Sequence, residues 1–136
     1  YDVAAGLIRD AQGRLLIAQR PMDGLLGGLW EFPGGKQEVG ETLEECLARE
    51  LREELAIDVD VKSLFVSVKH AFTHFKITLH AFECEYVGAL PPYTEPQTIE
   101  AQDWVWVTED ELQQYSFGKA DRQVIQALQA RKDMLF

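Results

Sequence analysis

The sequence has little of three features that would narrow its class at once: long apolar runs, basic residues and cysteines. Its longest apolar run covers only a few of the 136 residues, which excludes a transmembrane helix and predicts no membrane partner. Apolar residues (46%) and charged residues (26%) stand in the proportion typical of a soluble globular protein. We interpret the chain as one domain over residues 1–136.

Basic residues are few, 13 against 23 acidic residues, for a net charge of −10. A chain without a basic stripe is a poor candidate for binding a phosphate backbone through its own charge, so the composition disfavours a nucleic-acid partner. Residues 31–60 hold ten of the acidic residues and only three basic ones. Carboxylates concentrated in one segment suit a multivalent cation.

Only two cysteines are present, Cys46 and Cys84, and they have neither a metal-type spacing nor further partners for a disulfide framework. This predicts two reduced, buried thiols and a cytoplasmic protein.

The order of elements predicts the fold class. The patterns indicate β-runs at about 2–9 and 14–19, a glycine-rich loop at 21–36, a helix from Thr42, strands at 59–72 and 74–87 joined by a turn near Thr73, a proline-rich loop at 89–97, a strand at 103–107, a short helix at 108–115 and a final helix at about 119–131. Strands and helices in this order predict an α/β (α+β) fold, a mixed sheet flanked by helices.

The first helix begins near Thr42, because Thr42 and Glu45 form a capping box in which each side chain bonds the backbone N–H of the other. Five apolar residues predict the face that packs on the core: Leu43, Cys46, Leu47, Leu51 and Leu55. Glu50, Glu53 and Glu54 follow at i, i+3 and i+4, a spacing that places them on one inward-looking side of the helix.

Three carboxylates so placed destabilise the helix. Like charges repel, the helix C-terminus already carries partial negative charge, and burial adds a desolvation cost. Two interpretations remain open from the spacing alone: a solvated acidic face on which Arg49 pairs with Glu53, or a group of carboxylates that binds a cation.

A longer pattern with fixed spacing contains these residues. Its members are Gly35, Glu41, Arg49-Glu50-Leu51, Glu53-Glu54 and Ala56-Ile57. The pattern resembles the Nudix box, the signature of the Nudix hydrolases, with every polar position present. One position departs from it: the family has Gly where this chain has Ala56, just past the helix end, where Gly is favoured by about 1 kcal/mol.

The resemblance covers nearly the whole chain. Four further segments are similar to the MutT branch of the family: "GRLLIAQR", "LWEFPGGK", "WVTEDEL" and "FGKADRQVIQAL". The resemblance implies the Nudix α/β/α sandwich and an enzyme that hydrolyses 8-oxo-dGTP to 8-oxo-dGMP and pyrophosphate. It also implies Mg²⁺ as cofactor, or Mn²⁺ in its place, as two or three ions bound together with the substrate. A monomer with a small-molecule nucleotide as its partner is expected.

The resemblance also assigns residues. The implied metal ligands are Glu50, Glu53, Glu54, the Gly34 carbonyl and the outlying Glu100. The implied catalytic residues are Glu50 as general base, Glu53, and Arg49 as the residue that holds the carboxylates in place. The implied substrate-binding residues are Arg20 and Lys36 for phosphate, Glu31, Phe32 and Pro33 along the nucleotide, Phe72 as an aromatic wall and Asp121 at the edge of the base. Structural roles are the alternatives for some of them: surface charge for Arg20 and Glu100, core packing for Phe32 and Phe72.

Asp121 bears on the choice of base because an ionised carboxylate only accepts hydrogen bonds. Oxidation of guanine at C8 turns N7 into an N–H donor, which an acceptor at position 121 would favour. An acceptor that faces N1–H and the 2-amino group would favour any guanine. The sequence therefore predicts a guanine nucleotide and leaves its oxidation state open.

Two other functions compete with this one. One is a Nudix pyrophosphohydrolase for CTP or another nucleotide. The other is a non-catalytic 8-oxoguanine-recognition domain, since "HAFTHFKITLHAF" also resembles the C-terminal domain of the adenine glycosylase MutY; the intact carboxylates and the net charge of −10 disfavour it. We assign no site to His70, His74 and His80, because Mg²⁺ prefers oxygen ligands.

Overall fold

The computed structural model describes residues 1–134. Its elements are β1 (Asp2–Arg9), β2 (Leu15–Gln19), β3 (Trp30–Glu31), β4 (Gly34–Lys36), α1 (Leu43–Leu55), β5 (Ile57–Ala71), β6 (Lys76–Ala89), β7 (Asp103–Val107), a 3₁₀ helix (Asp110–Gln114) and α2 (Lys119–Met134). The predicted mixed sheet flanked by helices is confirmed. Neither α-helix is long and apolar enough to cross a membrane.

The sheet is centred on β1, which pairs in parallel with β6 and in antiparallel fashion with β2 and β4. The order along the sheet is β3-β2-β1-β6-β5, with β7 added beside β2. Because β4 pairs with β1 and β3 pairs with β2, the glycine-rich segment that precedes α1 is held at the middle of the sheet. This pairing fixes where the acidic segment begins.

The two helices pack on opposite faces of the sheet. The face that carries Ala4 and Phe82 packs against α1, whose Cys46, Leu47, Leu51 and Leu55 are fully buried. The face that carries Ala5 packs against Val124 and Leu128 of α2. Neighbouring strand residues serve opposite cores because side chains alternate across a strand. The sheet therefore separates the layer of α1 from the layer of α2.

Three features differ from the sequence-based expectation. The segment 21–36 contains the short strands β3 and β4, which exist only through pairing with β2 and β1. The long strand β5 carries irregular register between Asp58 and Val66. The short helix after β7 is a 3₁₀ helix, at whose start the side chains of Thr108 and Glu111 each accept a hydrogen bond from the backbone N–H of the other. Cys46 and Cys84 are buried and unpaired, as expected.

Candidate active site

Helix α1 ends in a way that positions its acidic residues. Thr42 and Glu45 form the predicted capping box at its start, and Ala56 adopts the left-handed conformation (φ 53°) after its last residue. The backbone N–H of Gln97 donates to Leu55 O at 2.8 Å, and that of Glu100 to Glu54 O at 3.3 Å. The loop before β7 thus caps the helix C-terminus and brings Glu100 close to Glu54.

Arg49 connects the carboxylates of this helix and the loop before it. Its Nε and Nη2 donate to the two carboxylate oxygens of Glu41 at 3.0 and 2.8 Å. Its Nη1 donates to Glu50 at 3.0 Å and to Glu53 at 3.2 Å. The hydrogen bonds from Arg49 lower the pKa of Glu41 to about 2. One planar guanidinium therefore orients three carboxylates at once.

The three glutamates do not share one environment, in contrast to the expectation of a common inward side. Glu50 and Glu54 line a cavity, whereas the side chain of Glu53 is 49% exposed. Consecutive residues lie 100° apart round the helix axis, so Glu53 and Glu54 can meet different surroundings, and what packs against α1 decides which is exposed. Only two of the three carboxylates are therefore desolvated by the protein itself.

Two glycines let β4 approach the sheet and α1. A Cβ at Gly34 would clash with the carbonyl of Ala4, and a Cβ at Gly35 would clash with the carboxylate of Glu50. The absence of a side chain at both positions leaves the Glu50 carboxylate in contact with the backbone of β4. The sequence Gly34-Gly35 thus has a steric explanation at this site.

Negative charge accumulates without enough cations to offset it. Burial raises the pKa of Glu54 to about 9, and the charges of Glu31, Glu50 and Glu100 add to the shift. Burial also raises the pKa of Glu50, although Arg49 opposes the change. Such carboxylates bind protons or cations more strongly than exposed ones do.

The cavity beside α1 has a volume of about 700 Å³. Nine of the predicted site residues line it: Arg20, Glu31, Phe32, Gly34, Lys36, Glu50, Glu54, Phe72 and Asp121. Four others in the described chain do not: Pro33, Arg49, Glu53 and Glu100. Pro33 is buried, and its carbonyl accepts the N–H of Gly6 at 2.8 Å, so it supports the wall rather than facing the cavity.

The ion pair of Arg20 with Glu31 lines the cavity, as does Asp121 of α2. Arg20 Nη1 lies 2.9 Å from Glu31, and Arg20 Nε donates to Leu25 O at 2.9 Å. Asp121, in the first turn of α2, accepts the backbone N–H of Phe32 at 3.1 Å. Burial raises the pKa of Asp121 to about 7, and the charge of Glu31 adds to the shift. Glu31 therefore acts electrostatically on both the α1 and the α2 sides.

An aromatic wall closes the cavity on the side of the β5–β6 hairpin. We use this name for the rings of Tyr1, His70, Phe72 and Phe75, all of which line the cavity. Phe72 stacks on Phe75 with ring centroids 4.7 Å apart, and His70 meets Phe72 edge-on at 4.5 Å. Phe75 stacks in turn on Tyr1 at 5.5 Å. The Nζ atom of Lys36 lies 4.3 Å from the centre of the Tyr1 ring.

Comparison with known proteins assigns a family to this arrangement. A family model described as the NUDIX domain matches residues 4–127. The chain belongs to the Nudix family.

Relatives and a solved structure support this assignment. The CTP pyrophosphohydrolase of Escherichia coli K12 is 39% identical over 130 residues, which cover 95% of this Nudix chain and 91% of the relative. The 8-oxo-dGTP diphosphatase of Proteus vulgaris is 50% identical over 80 residues, or 59% of this chain and 71% of the relative. The solution structure of the E. coli ORF135 protein superposes with a TM-score of 0.77 at 36% identity, covering 96% of this chain and 89% of that one.

Several residues that line this Nudix cavity were not predicted from the sequence. They are Tyr1, His70 and Phe75 of the aromatic wall, Leu25, Leu26 and Leu29 of the loop before β3, and Phe117, Lys119 and Arg122 beside Asp121. The alternation in the predicted strand at 74–87 places Phe75 on the same face as Ile77, and this pattern could have indicated that Phe75 faces the interior. His70 had been assigned to no site. No comparable pattern marks the loop or the start of α2, because these segments reach the cavity only through the tertiary fold.

Proposed function

We propose that this Nudix protein is a divalent-cation-dependent nucleoside triphosphate pyrophosphohydrolase, and that 8-oxo-dGTP is its main substrate. The observation that carries the proposal is the pair of half-buried carboxylates, Glu50 and Glu54, on the wall of a cavity large enough for a nucleotide. The products are 8-oxo-dGMP and pyrophosphate. We further propose that the protein acts as a monomer on the cytoplasmic nucleotide pool and so limits mutation.

The chemistry of the donor set supports Mg²⁺ as the cation. Among residues 1–134, no group of three or more His, Cys, Asp and Glu side chains is arranged to hold a metal ion. Mg²⁺ does not need such a cage, since it binds one or two carboxylates, keeps several waters and shares oxygens with substrate phosphates. Glu50 and Glu54 would provide carboxylates, with Glu53, Glu100 and the Gly34 carbonyl as further oxygen ligands, for two or three ions of Mg²⁺ or Mn²⁺. Bound there, the cation would neutralise the polyphosphate and polarise its phosphorus atoms.

The residues of the chain supply position and proton transfer. Glu50 accepts a proton from the attacking water, a role that suits a carboxylate whose pKa is raised by burial. Arg49 keeps Glu50 and Glu53 oriented while they carry charge. Water attacks the β-phosphorus, the bond from this phosphorus to the oxygen that bridges the α- and β-phosphates breaks, and that oxygen stays with the monophosphate.

Phosphate and base are bound by different groups. A guanidinium has five N–H donors, and Arg20 uses two of them in its contacts with Glu31 and Leu25. The remaining donors suit a phosphate, with Lys36 as a second cation. Phe72 stacks on the base within the aromatic wall, and Asp121 accepts a hydrogen bond from its edge. Phe32, which is 2% exposed, forms the floor.

The test is release of pyrophosphate from 8-oxo-dGTP, dGTP and CTP at one low concentration, with Mg²⁺ and with a chelator. We expect the fastest release from 8-oxo-dGTP and none with the chelator. Fastest release from CTP would overturn 8-oxo-dGTP as the main substrate but would leave the proposed reaction, pyrophosphate release, unchanged. Absence of release from all three nucleotides with Mg²⁺ would overturn the reaction as well.

CTP is the second candidate because the CTP pyrophosphohydrolase of E. coli is similar over nearly the whole chain. The carboxylate of Asp121 could also accept a hydrogen bond from the 4-amino group of cytosine. A non-catalytic recognition domain fits less well, because a cavity that only binds a base has no use for two desolvated carboxylates with raised pKa values.

A further inference from the structure

Arg122 differs from every other arginine of the chain. Six of the seven arginines, all within the described residues, pair with a carboxylate in this acidic protein. Arg122 is exposed, and no ion pair or side-chain hydrogen bond engages it within residues 1–134. The residue nevertheless lines the cavity, one position after Asp121. An unpaired arginine at the wall of this cavity is available to a ligand.

The position of Arg122 separates it from the phosphate-binding groups. It lies in the first turn of α2, on the face of the sheet opposite to α1 and its glutamates. Its neighbour Asp121 accepts a hydrogen bond from the backbone of Phe32, which also lines the cavity. Arg122 is therefore on the side of the cavity assigned to the base.

We propose that Arg122 is a specificity-determining residue that donates a hydrogen bond to O8 of an oxidised guanine, beside the acceptor Asp121. This inference rests on the proposed function and names the base it selects. Guanine oxidised at C8 presents O6, N7–H and O8 along one edge, that is acceptor, donor, acceptor. Asp121 and Arg122 both line the cavity, so an acceptor and a donor are available to that edge.

The pair discriminates because each side chain bonds a group that only the oxidised base presents, N7–H for Asp121 and O8 for Arg122. An arginine alone suits plain guanine, whose O6 and N7 both accept hydrogen bonds. With the Asp121 carboxylate ionised, as it is above its pKa of about 7, the N7 of plain guanine faces a second acceptor and makes no bond to it. Only the oxidised base then satisfies both side chains, since a polar group left unpaired costs more than a lost contact.

The experiment measures equilibrium binding of 8-oxo-dGMP and dGMP by calorimetry, without metal and without turnover. Arg122→Ala is compared with the unchanged protein, with Arg122→Gln, which keeps an N–H donor without the charge, and with Lys132→Ala. Lys132 is an exposed cation of α2 that pairs with Asp110 outside the cavity, so its loss controls for net charge. Thermal melts confirm that each variant is folded.

We expect Arg122→Ala to weaken the binding of 8-oxo-dGMP at least about tenfold, as for the loss of one hydrogen bond to a charged group. The binding of dGMP should weaken less than about twofold. Arg122→Gln recovers part of the loss, and Lys132→Ala changes neither ligand. Equal losses for both nucleotides would show that Arg122 acts on a group that both share, O6 or the phosphate, and would overturn the inference, as would no loss at all. Pyrophosphate release by the unchanged protein tests the proposed function separately, so the two failures are distinguishable.

Discussion

Glu50 is fixed in position by close neighbours and also has an altered pKa. Its carboxylate lies against Gly35 of β4, accepts a hydrogen bond from Arg49 at 3.0 Å and has a pKa raised by burial. If Glu50 is the general base, Glu50→Gln keeps its shape and lowers kcat by about 10²- to 10⁴-fold. Initial rates of pyrophosphate release measure the effect.

The matched control for Glu50→Gln is Glu44→Gln, an exposed glutamate in the first turn of the same helix. We expect Glu44→Gln to leave kcat unchanged. The melting temperature of Glu50→Gln stays equal or rises, because a partly buried charge is removed. A variant that retains kcat within about twofold would exclude Glu50 as the base.

Asp121 predicts a pH dependence of stability. Its pKa is about 7 in the folded chain, against an ordinary value of 3.8. Between pH 3.8 and pH 7, therefore, the folded state holds a proton that the unfolded state has lost. The stability contributed by this group is complete below about pH 4 and declines as the pH rises to about 7. Asp121→Asn cannot ionise, so its melting temperature relative to the unchanged protein should rise between pH 4 and 7 and level off above. A difference that is constant across this range would contradict the raised pKa.

At the scale of elements, α1 depends on its capping box. The Thr42 hydroxyl accepts the N–H of Glu45 at 3.0 Å, and the Glu45 carboxylate accepts the N–H of Thr42 at 2.8 Å. Thr42→Ala removes the first bond and is expected to lower the free energy of unfolding by about 1 kcal/mol. Thr42→Ser keeps the hydroxyl and serves as control. Denaturant titration compares the two, and equal stability of both variants would show that the cap contributes nothing.

The elements that local pattern determines were predictable, and those that depend on pairing were not. Residues close in the sequence determine the capping box and the apolar stripe of α1 and the alternation in β5 and β6. The predicted helix and the predicted pair of strands are confirmed. Strands β3 and β4 have two and three residues, too short for any period, and form because β2 and β1 offer backbone partners. The irregular register in β5 likewise arises from its pairing with β6.

The same distinction holds for the site. The spacing of Glu50 and Glu54 on one helix indicated their shared environment from the sequence alone. Helical spacing did not reveal that Glu53 is exposed, because exposure depends on what packs against α1. The aromatic wall and Arg122 come from the chain start, a hairpin and α2, and only the folded sheet brings these segments to one cavity.

At the scale of the whole molecule, charge distribution opposes the fold where the cavity lies. The chain has a net charge of −10, and ten of its acidic residues fall within residues 31–60. Arg49 offsets part of the repulsion, but Glu54 remains so poorly compensated that its pKa is raised to about 9. A ligand that binds only the folded state stabilises it by mass action, so a divalent cation at this site must raise the stability of the whole domain.

Mg²⁺ is therefore expected to raise the melting temperature at constant ionic strength. At ten times its dissociation constant the gain is about 1.4 kcal/mol. NaCl of equal ionic strength controls for screening, which at 0.1 M salt largely removes interactions between exposed charges more than about 10 Å apart. Glu54→Gln removes a cavity carboxylate and mimics its protonated form, so this variant is at least as stable without cation and loses most of the Mg²⁺ effect. Equal stabilisation by NaCl, or an unchanged Mg²⁺ effect in Glu54→Gln, would show that no cation site exists at these glutamates.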